Sequence, residues 1–167
     1  MDIDFRWRAF PLHPETPQEG RSLEELFAGR PVDIPAMIKQ MKKVAAAEGL
    51  PLGDRTRTYN SRLAQEMAKW AETQGRGEEF HMAAFRAYFA DGKNIAEMDN
   101  LLAMATSVGL NPDEARKIIA ERTYSLAVDE DWQMARHLDI RAVPTFLWGK
   151  QRLVGAQPYE VLRKFVA

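Results

Sequence analysis

The stretch Ala142-Val143-Pro144-Thr145-Phe146-Leu147-Trp148-Gly149-Lys150-Gln151-Arg152-Leu153-Val154 governs how the rest of the chain is read. Thr145–Trp148 and Arg152–Val154 are short apolar runs rich in β-formers, so each reads as a strand. Gly149-Lys150 between them fits a tight two-residue hairpin connection. Pro144, directly before the first run, has no N–H to give to a ladder. It is either the first strand residue, on an edge, or a cis peptide at a tight connection. A backbone left open at Val143, Pro144 and Thr145 can take up an extended partner segment by strand-like hydrogen bonds. An ordinary edge proline accounts for the same residues.

On the C-terminal side, Pro158 to Val166 reads as a helix with Leu162, Phe165 and Val166 apolar. On the N-terminal side, a helix is expected from about Glu130 to Leu138. Before it, from Pro35 to about Ala127, the spacing is helical throughout. Met37, Ile38, Met41, Val44 and Ala45 share one helix face, and Gly49 stops that helix. Gly49 to Tyr59 reads as a loop. Leu63, Met67, Trp70 and Ala71 repeat the spacing, with Asn60 or Ser61 as the cap. Gly75 and Gly77 break the chain before an aromatic helix from Phe80 to Phe89, which Gly92 ends. Asn94 with Glu97 caps a helix carrying Met98, Leu101, Leu102 and Ala105, and Gly109 closes it. Asn111-Pro112-Asp113-Glu114 combines a cap, a proline at the first helical position and acids in the first turn.

The N-terminus has a different period. Ile3, Phe5 and Trp7 alternate with Asp4, Arg6 and Arg8, so Ile3 to Ala9 reads as a strand. Pro11, Pro14, Pro17 and Gly20 then exclude regular structure for about ten residues. Ser22-Leu23-Glu24-Glu25 is a capping-box pattern opening a short helix. No internal repeat or low-complexity tract is present. The order of elements is strand, helical block, helix, hairpin, helix, an α/β pattern with a large helical insert.

Composition narrows the chemistry. The 167 residues carry 46% hydrophobic and 28% charged side chains, which rules out a disordered or collagen-like chain. A net charge of −1 lacks the positive excess that phosphate contact requires, so no nucleic-acid partner is expected. There is no cysteine, which removes thiolate catalysis, disulfides and Cys-type metal sites from this chain. The segment Met1 to Phe10 shows no apolar signal region, and Leu101 to Ala105 is far too short to span a bilayer. A cytoplasmic protein without membrane contact is expected.

The three histidines, His13, His81 and His137, share no metal-ligand spacing, so no metal is expected and all three read as structural or surface residues. The acids of Glu78-Glu79 and Asp129-Glu130-Asp131 sit before helical stretches, where they favour the helix dipole. No serine lies in a nucleophile elbow and no glycine-rich phosphate loop exists. The aromatic and methionine stripes follow helical spacing and read as core. No catalytic residue and no cofactor is expected from the residues themselves.

Five segments in order resemble one family. Trp7-Arg8-Ala9-Phe10-Pro11-Leu12-His13-Pro14 followed by Gly20 resembles the W-R-x-F-x-L-x-P…G segment of FrnE-type proteins, in the DsbA-like thioredoxin superfamily. Asn60-Ser61 resembles that family's N-[ST] helix start. Phe85-Arg86-Ala87-Tyr88-Phe89 with Asn94-Ile95 resembles its aromatic helix and turn. Gly109-Leu110 matches its G-L break, and Val143-Pro144-Thr145-Phe146 with Gly155-Ala156-Gln157 resembles its V-P-x-F…G-A-Q ending. The resemblance covers Trp7 to the C-terminus and implies a thioredoxin fold with an inserted helical domain. It implies thioredoxin-like parts at 1–34 and 128–167 and an inserted helical domain at 35–127. It also implies that Pro144 is the cis-proline that helps bind an extended substrate, with Val143 and Thr145 beside it.

The sequence departs from that family in three places. Asp139 stands where glycine is usual before Ile140, a mild change because Asp tolerates a left-handed helix end. Ala142 replaces the glycine before Val-Pro. The strand and C-x-x-C helix that the family places before Phe5 are absent, since only four residues precede it. The expected architecture is therefore an incomplete thioredoxin-like fold. Disulfide exchange needs an attacking thiolate, so a redox-inactive binding or interaction module is the expected function. The alternatives are a dithiol oxidoreductase whose C-x-x-C segment is missing from this chain and, third, a glutathione-dependent isomerase akin to the 2-hydroxychromene-2-carboxylate isomerases. A missing central strand leaves backbone groups without partners. Either Ile3 to Ala9 moves into the gap, or a second copy or another protein covers it.

Overall fold

A computed structural model describes residues 3–167. In chain order the elements are β1 (Arg21–Ser22), α1 (Leu23–Leu26), α2 (Ile34–Ala47), β2 (Arg57–Thr58), α3 (Arg62–Thr73), α4 (Gly77–Phe85), a π-helical turn (Arg86–Ala90), α5 (Met98–Ser107), α6 (Pro112–Glu121), α7 (Ser125–His137), β3 (Thr145–Trp148), β4 (Gln151–Val154) and α8 (Tyr159–Phe165). The chain divides into two compact units, His13–Val128 and Met1–Leu12 with Asp129–Ala167.

The first unit is helical and owns the core. Met67, Trp70 and Ala71 of α3 pack with Phe80 of α4, Leu101 and Ala105 of α5 and Ala115 and Ile119 of α6. These are the apolar faces that the helical spacing marks out, and each fully buried large side chain contributes about 1.5–3 kcal/mol of transfer free energy. The local signals work as their chemistry dictates. Ser22 and Glu25 form both bonds of the capping box on α1, and Asn111 accepts from the N–H groups of Asp113 and Glu114 at the head of α6. At α3 the capping work falls to Asn60, whose Oδ1 accepts from Arg62 N at 2.9 Å, while Ser61 makes no side-chain cap bond. Before α5, Asn94 closes a turn by accepting from Ala96 N and does not cap the helix itself.

The structure departs from the expected elements at four further points. The loop expected at 49–59 contains β2, which pairs antiparallel with β1 through Arg21↔Thr58 and Ser22↔Arg57. The aromatic helix opens at Gly77 and ends in a π turn, whose register is fixed by the Asp91 N–H donating to Arg86 O. α7 begins at Ser125, five residues earlier than its acidic cluster implies. Ile3 to Ala9 forms no strand, because no neighbouring strand among the described residues offers it a ladder. It follows that Ile3 to Ala9 does not take the place of a central strand.

In the second unit the hairpin forms as expected. Phe146 faces Leu153, Leu147 faces Arg152, and Trp148 faces Gln151 across the two-residue turn. Gly149 takes φ 58° in that turn, the left-handed value that the first position of a glycine-led hairpin turn requires. β3 and β4 are a two-stranded sheet, and among the described residues nothing extends it.

Candidate functional site: the open edge of the hairpin

The site begins where α7 stops. Asp139 adopts φ 51°, and its N–H donates to Arg136 O while the Ile140 N–H donates to Ala135 O at 2.9 Å. This pair of bonds is a Schellman ending with aspartate in the left-handed position usually given to glycine. Arg141 Nε then donates to the Asp139 carboxylate at 2.8 Å. From β4, Arg152 reaches back and donates to the carbonyls of Leu138 and Asp139. It thereby serves the orphaned carbonyls of the helix end and ties the 138–144 connection to the hairpin.

The connection delivers Val143, Pro144 and Thr145 to the start of β3. The Val143–Pro144 peptide is cis. Pro144 O accepts from Gly155 N at 2.8 Å, and Thr145 Oγ1 donates to Ala142 O at 2.6 Å. The Pro144–Gly155 bond makes Thr145↔Val154 a non-hydrogen-bonded pair, so Leu147↔Arg152 is one too. The N–H and C=O groups of Thr145 and Leu147 therefore point away from β4, along an outer edge on which no strand lies among the described residues. Burial is uneven along the hairpin: Thr145, Phe146 and Leu153 are half-buried, whereas Val143, Leu147 and Val154 are 44%, 47% and 46% exposed. The three residues singled out in the sequence thus follow one another along the edge: apolar at Val143, without a donor at Pro144, and with outward-facing backbone groups at Thr145, as again at Leu147. Such an edge can accept an extended chain by main-chain hydrogen bonds.

Sequence reasoning missed two supports of this unit. Arg152 shows no local signal, because its partners lie on a distant helix end. Asp131, which reads as a helix-dipole acid, is buried and accepts from Arg8 Nη1 at 2.9 Å and from the Ala9 N–H at 2.8 Å. It holds the N-terminal segment in place of the ladder that segment lacks.

None of the three histidines belongs to the hairpin. His13 Nδ1 is 3.8 Å from the Glu15 carboxylate and His81 Nε2 is 3.6 Å from that of Glu72, while His137 ends α7. Among the described residues no cluster of three or more His, Cys, Asp or Glu could hold a metal ion, and no helix is long and apolar enough to cross a membrane.

Comparison with known proteins agrees with this architecture. A probable DsbA oxidoreductase from Streptomyces coelicolor matches with a TM-score of 0.88 and 26% identity, over 95% of this chain and 72% of that one. A 2-hydroxychromene-2-carboxylate isomerase shares the fold, with a TM-score of 0.69 and 17% identity over 79% of this chain and 64% of its own. The uncharacterized protein YwbO of Bacillus subtilis (strain 168) is 32% identical over 109 residues, which are 63% of this chain. The chain spans about half the length of that curated relative, 53%. The model of the DSBA-like thioredoxin domain matches residues 1–167. With the helical unit, the hairpin and the Val-Pro-Thr connection all in place, the chain belongs to the DsbA-like thioredoxin domain family.

Proposed function

We propose that this chain is a polypeptide-binding module of the DsbA-like family that carries out no thiol–disulfide exchange of its own. The open outer edge of β3 carries this reading: Val143, Pro144 and Thr145 lead into a strand whose outward N–H and C=O groups face no other strand among the described residues. The absence of any cysteine supports it, since exchange proceeds by thiolate attack. An extended chain docks there by strand addition, with its alternate side chains against Val143 and Leu147. The same edge admits a strand from another protein or from a second copy of this chain, and sedimentation over a range of concentrations distinguishes these. A concentration-independent monomer removes the second copy.

The test uses a reduced, alkylated polypeptide, which is extended and cannot exchange disulfides. Wild-type protein binds it and shows no insulin reduction. Leu147→Pro deletes an outward N–H while leaving the β3–β4 bonds intact, and weakens binding at least about tenfold, or about 1.4 kcal/mol. Equal binding by wild type and Leu147→Pro would sink the strand-addition reading. Insulin reduction by this chain would sink the redox-inactive one.

A second reading is supported by the match to the Streptomyces coelicolor protein, of which this chain covers 72%. In it the chain belongs to a dithiol oxidoreductase whose C-x-x-C lies in polypeptide outside this sequence. The intact mass of the endogenous protein decides between them. A mass of 19.0 kDa with Met1 at its start supports the binding module. A mass larger by roughly 30–40 residues, the size of a strand–helix unit, with C-x-x-C in the added piece, supports the oxidoreductase.

A further inference from the structure

In the helical unit, Arg55 is a cation without a carboxylate partner among the described residues. It is half-buried, and its guanidinium lies 5.1 Å from the centre of the Tyr88 ring and 5.5 Å from that of Phe89. Arg55 Nη1 donates to Tyr88 Oη at 3.1 Å, and Tyr88 Oη also shares a 2.9 Å hydrogen bond with the buried Thr58 hydroxyl. The acid beside it in sequence, Asp54, is taken by Lys42. A guanidinium has five N–H donors in a fixed fork, so most of the Arg55 donors are uncommitted.

The surroundings fix this cation from two sides. The π turn sets the consecutive rings of Tyr88 and Phe89 against one guanidinium. The Gly53 N–H donates to Phe89 O at 2.9 Å, and a Cβ on Gly53 would collide with the Ala90 carbonyl oxygen, so the loop is fastened to the turn by a contact only glycine allows. On the other side β2 holds Thr58. Aromatic surface continues from the cation: Phe89 lies 6.3 Å from Phe85, which is 41% exposed.

We propose that Arg55 is the anchor of a ligand site for a carboxylate carried on an apolar group, such as the last residue of a polypeptide with an aromatic side chain. A single guanidinium matches one carboxylate in charge and fork geometry, whereas a phosphate dianion calls for further cations. The rings of Phe89 and Phe85 supply the wall for the apolar group. Cation–π contact keeps the guanidinium oriented before the ligand arrives.

The experiment follows the Arg55 Nε–H resonance while N-acetyl-L-phenylalanine, its amide, or inorganic phosphate is added to the whole chain. The acid shifts the resonance saturably and the amide does not. Arg55→Lys keeps the charge, loses the fork and weakens the acid at least about tenfold. Phe85→Ala, at an exposed position whose loss leaves the core packed, weakens it about threefold or more at an unchanged unfolding midpoint. Equal binding of acid and amide overturns the proposal, as does phosphate binding as tightly as the acid. No shift with any probe also overturns it and leaves Arg55 a clamp between loop and helix.

Discussion

The helical unit and the hairpin unit are built from the same kinds of residues, yet only one of them has a core. In His13–Val128, Trp70, Phe80, Met67 and Leu101 are at most 1% exposed. In the other unit the buried residues among those described are Asp131 and Ala135, while Leu147, Trp148, Val154 and Tyr159 are 41% to 73% exposed. The difference lies in where backbone hydrogen bonds are made. A helix satisfies its own N–H and C=O groups, so amphipathic helices need only find one another. A strand depends on its neighbours, and a two-stranded hairpin is marginal by itself. Chemistry that requires a wet, open edge belongs in the second unit, and rigidity belongs in the first.

The sharpest way to break this comparison is a pair of truncations. Phe80→Ala removes a fully buried ring and is expected to cost about 3–5 kcal/mol. Leu147→Ala, at an exposed position, is expected to cost less than about 0.5 kcal/mol. Urea unfolding of the two variants measures both. A Leu147→Ala loss comparable to that of Phe80→Ala would show that the hairpin is covered in solution.

Next in size is the one buried carboxylate of the helical unit. Glu66 accepts from Arg122 Nη2 and Arg62 Nε, each at 2.6 Å, and from Arg122 Nε at 2.8 Å, while Arg62 Nη2 also donates to Ser125 O. Arg122 sits in the left-handed region at φ 54°, the helix-ending conformation that brings its side chain to Glu66. Burial pushes the Glu66 carboxyl up, but the hydrogen bonds and charges of Arg122 and Arg62 more than reverse this and hold it below 4.5. As pH falls, the unfolded chain takes up the proton first. The stabilisation is whole above about pH 4.5 and is lost below it, as the folded carboxyl titrates. Glu66→Ala leaves two guanidinium groups without their acceptor and is expected to cost about 3 kcal/mol at neutral pH, with a much smaller cost near pH 2. Unfolding titrations at the two pH values measure this, and an equal loss at both would assign the effect to packing.

What the sequence made legible follows the same division. Local signals were readable: the Ser22–Glu25 capping box, the Asn111 cap, the Gly149-Lys150 turn and the tolerance of Asp139 for a left-handed helix end. Each depends on a few adjacent residues. The alternation of Ile3 to Ala9 states which side chains would face together, but not whether a neighbouring strand exists, and no strand forms there. β1 and β2 are two residues each, too short for any period. The π turn, the Glu66 cluster, the Arg152 clamp and the stacking of Arg55 join residues through space and leave no spacing to find. At the candidate site, Val143-Pro144-Thr145 was visible because a proline before an apolar run is locally odd. The outward register of Thr145 and Leu147 needed the pairing with β4.

A smaller effect tests the anchor of the N-terminal segment. Asp131→Ala removes the acceptor of both Arg8 and the Ala9 N–H and is expected to cost about 1–2 kcal/mol, since Arg8 is half exposed and regains water. Its more specific signature is local. Exchange of the Ala9 amide should accelerate at least tenfold, about 1.4 kcal/mol of lost protection, while amides of α3 keep theirs. Acceleration throughout α3 would instead make Asp131 a support of the helical core.

The least effect comes from His81, and it bears on whether the helical unit is as insensitive to conditions as its packing implies. Burial holds the imidazole below its ordinary 6.5, against the pull of the Glu72 carboxylate 3.6 Å away, and the charge of Lys69 adds to the depression. The folded protein therefore binds the proton less readily than the unfolded chain. This contribution to stability is complete above about pH 6.5 and declines as pH falls below it, through the folded value. His81→Gln keeps a polar, neutral group in place and removes the titration. The urea midpoint of the wild type should fall between pH 7 and pH 5.5 by more than that of His81→Gln. The two curves should run parallel above pH 7. Parallel curves throughout would mean that Glu72 compensates the proton on His81 in full, and that the core tolerates a charge at its edge.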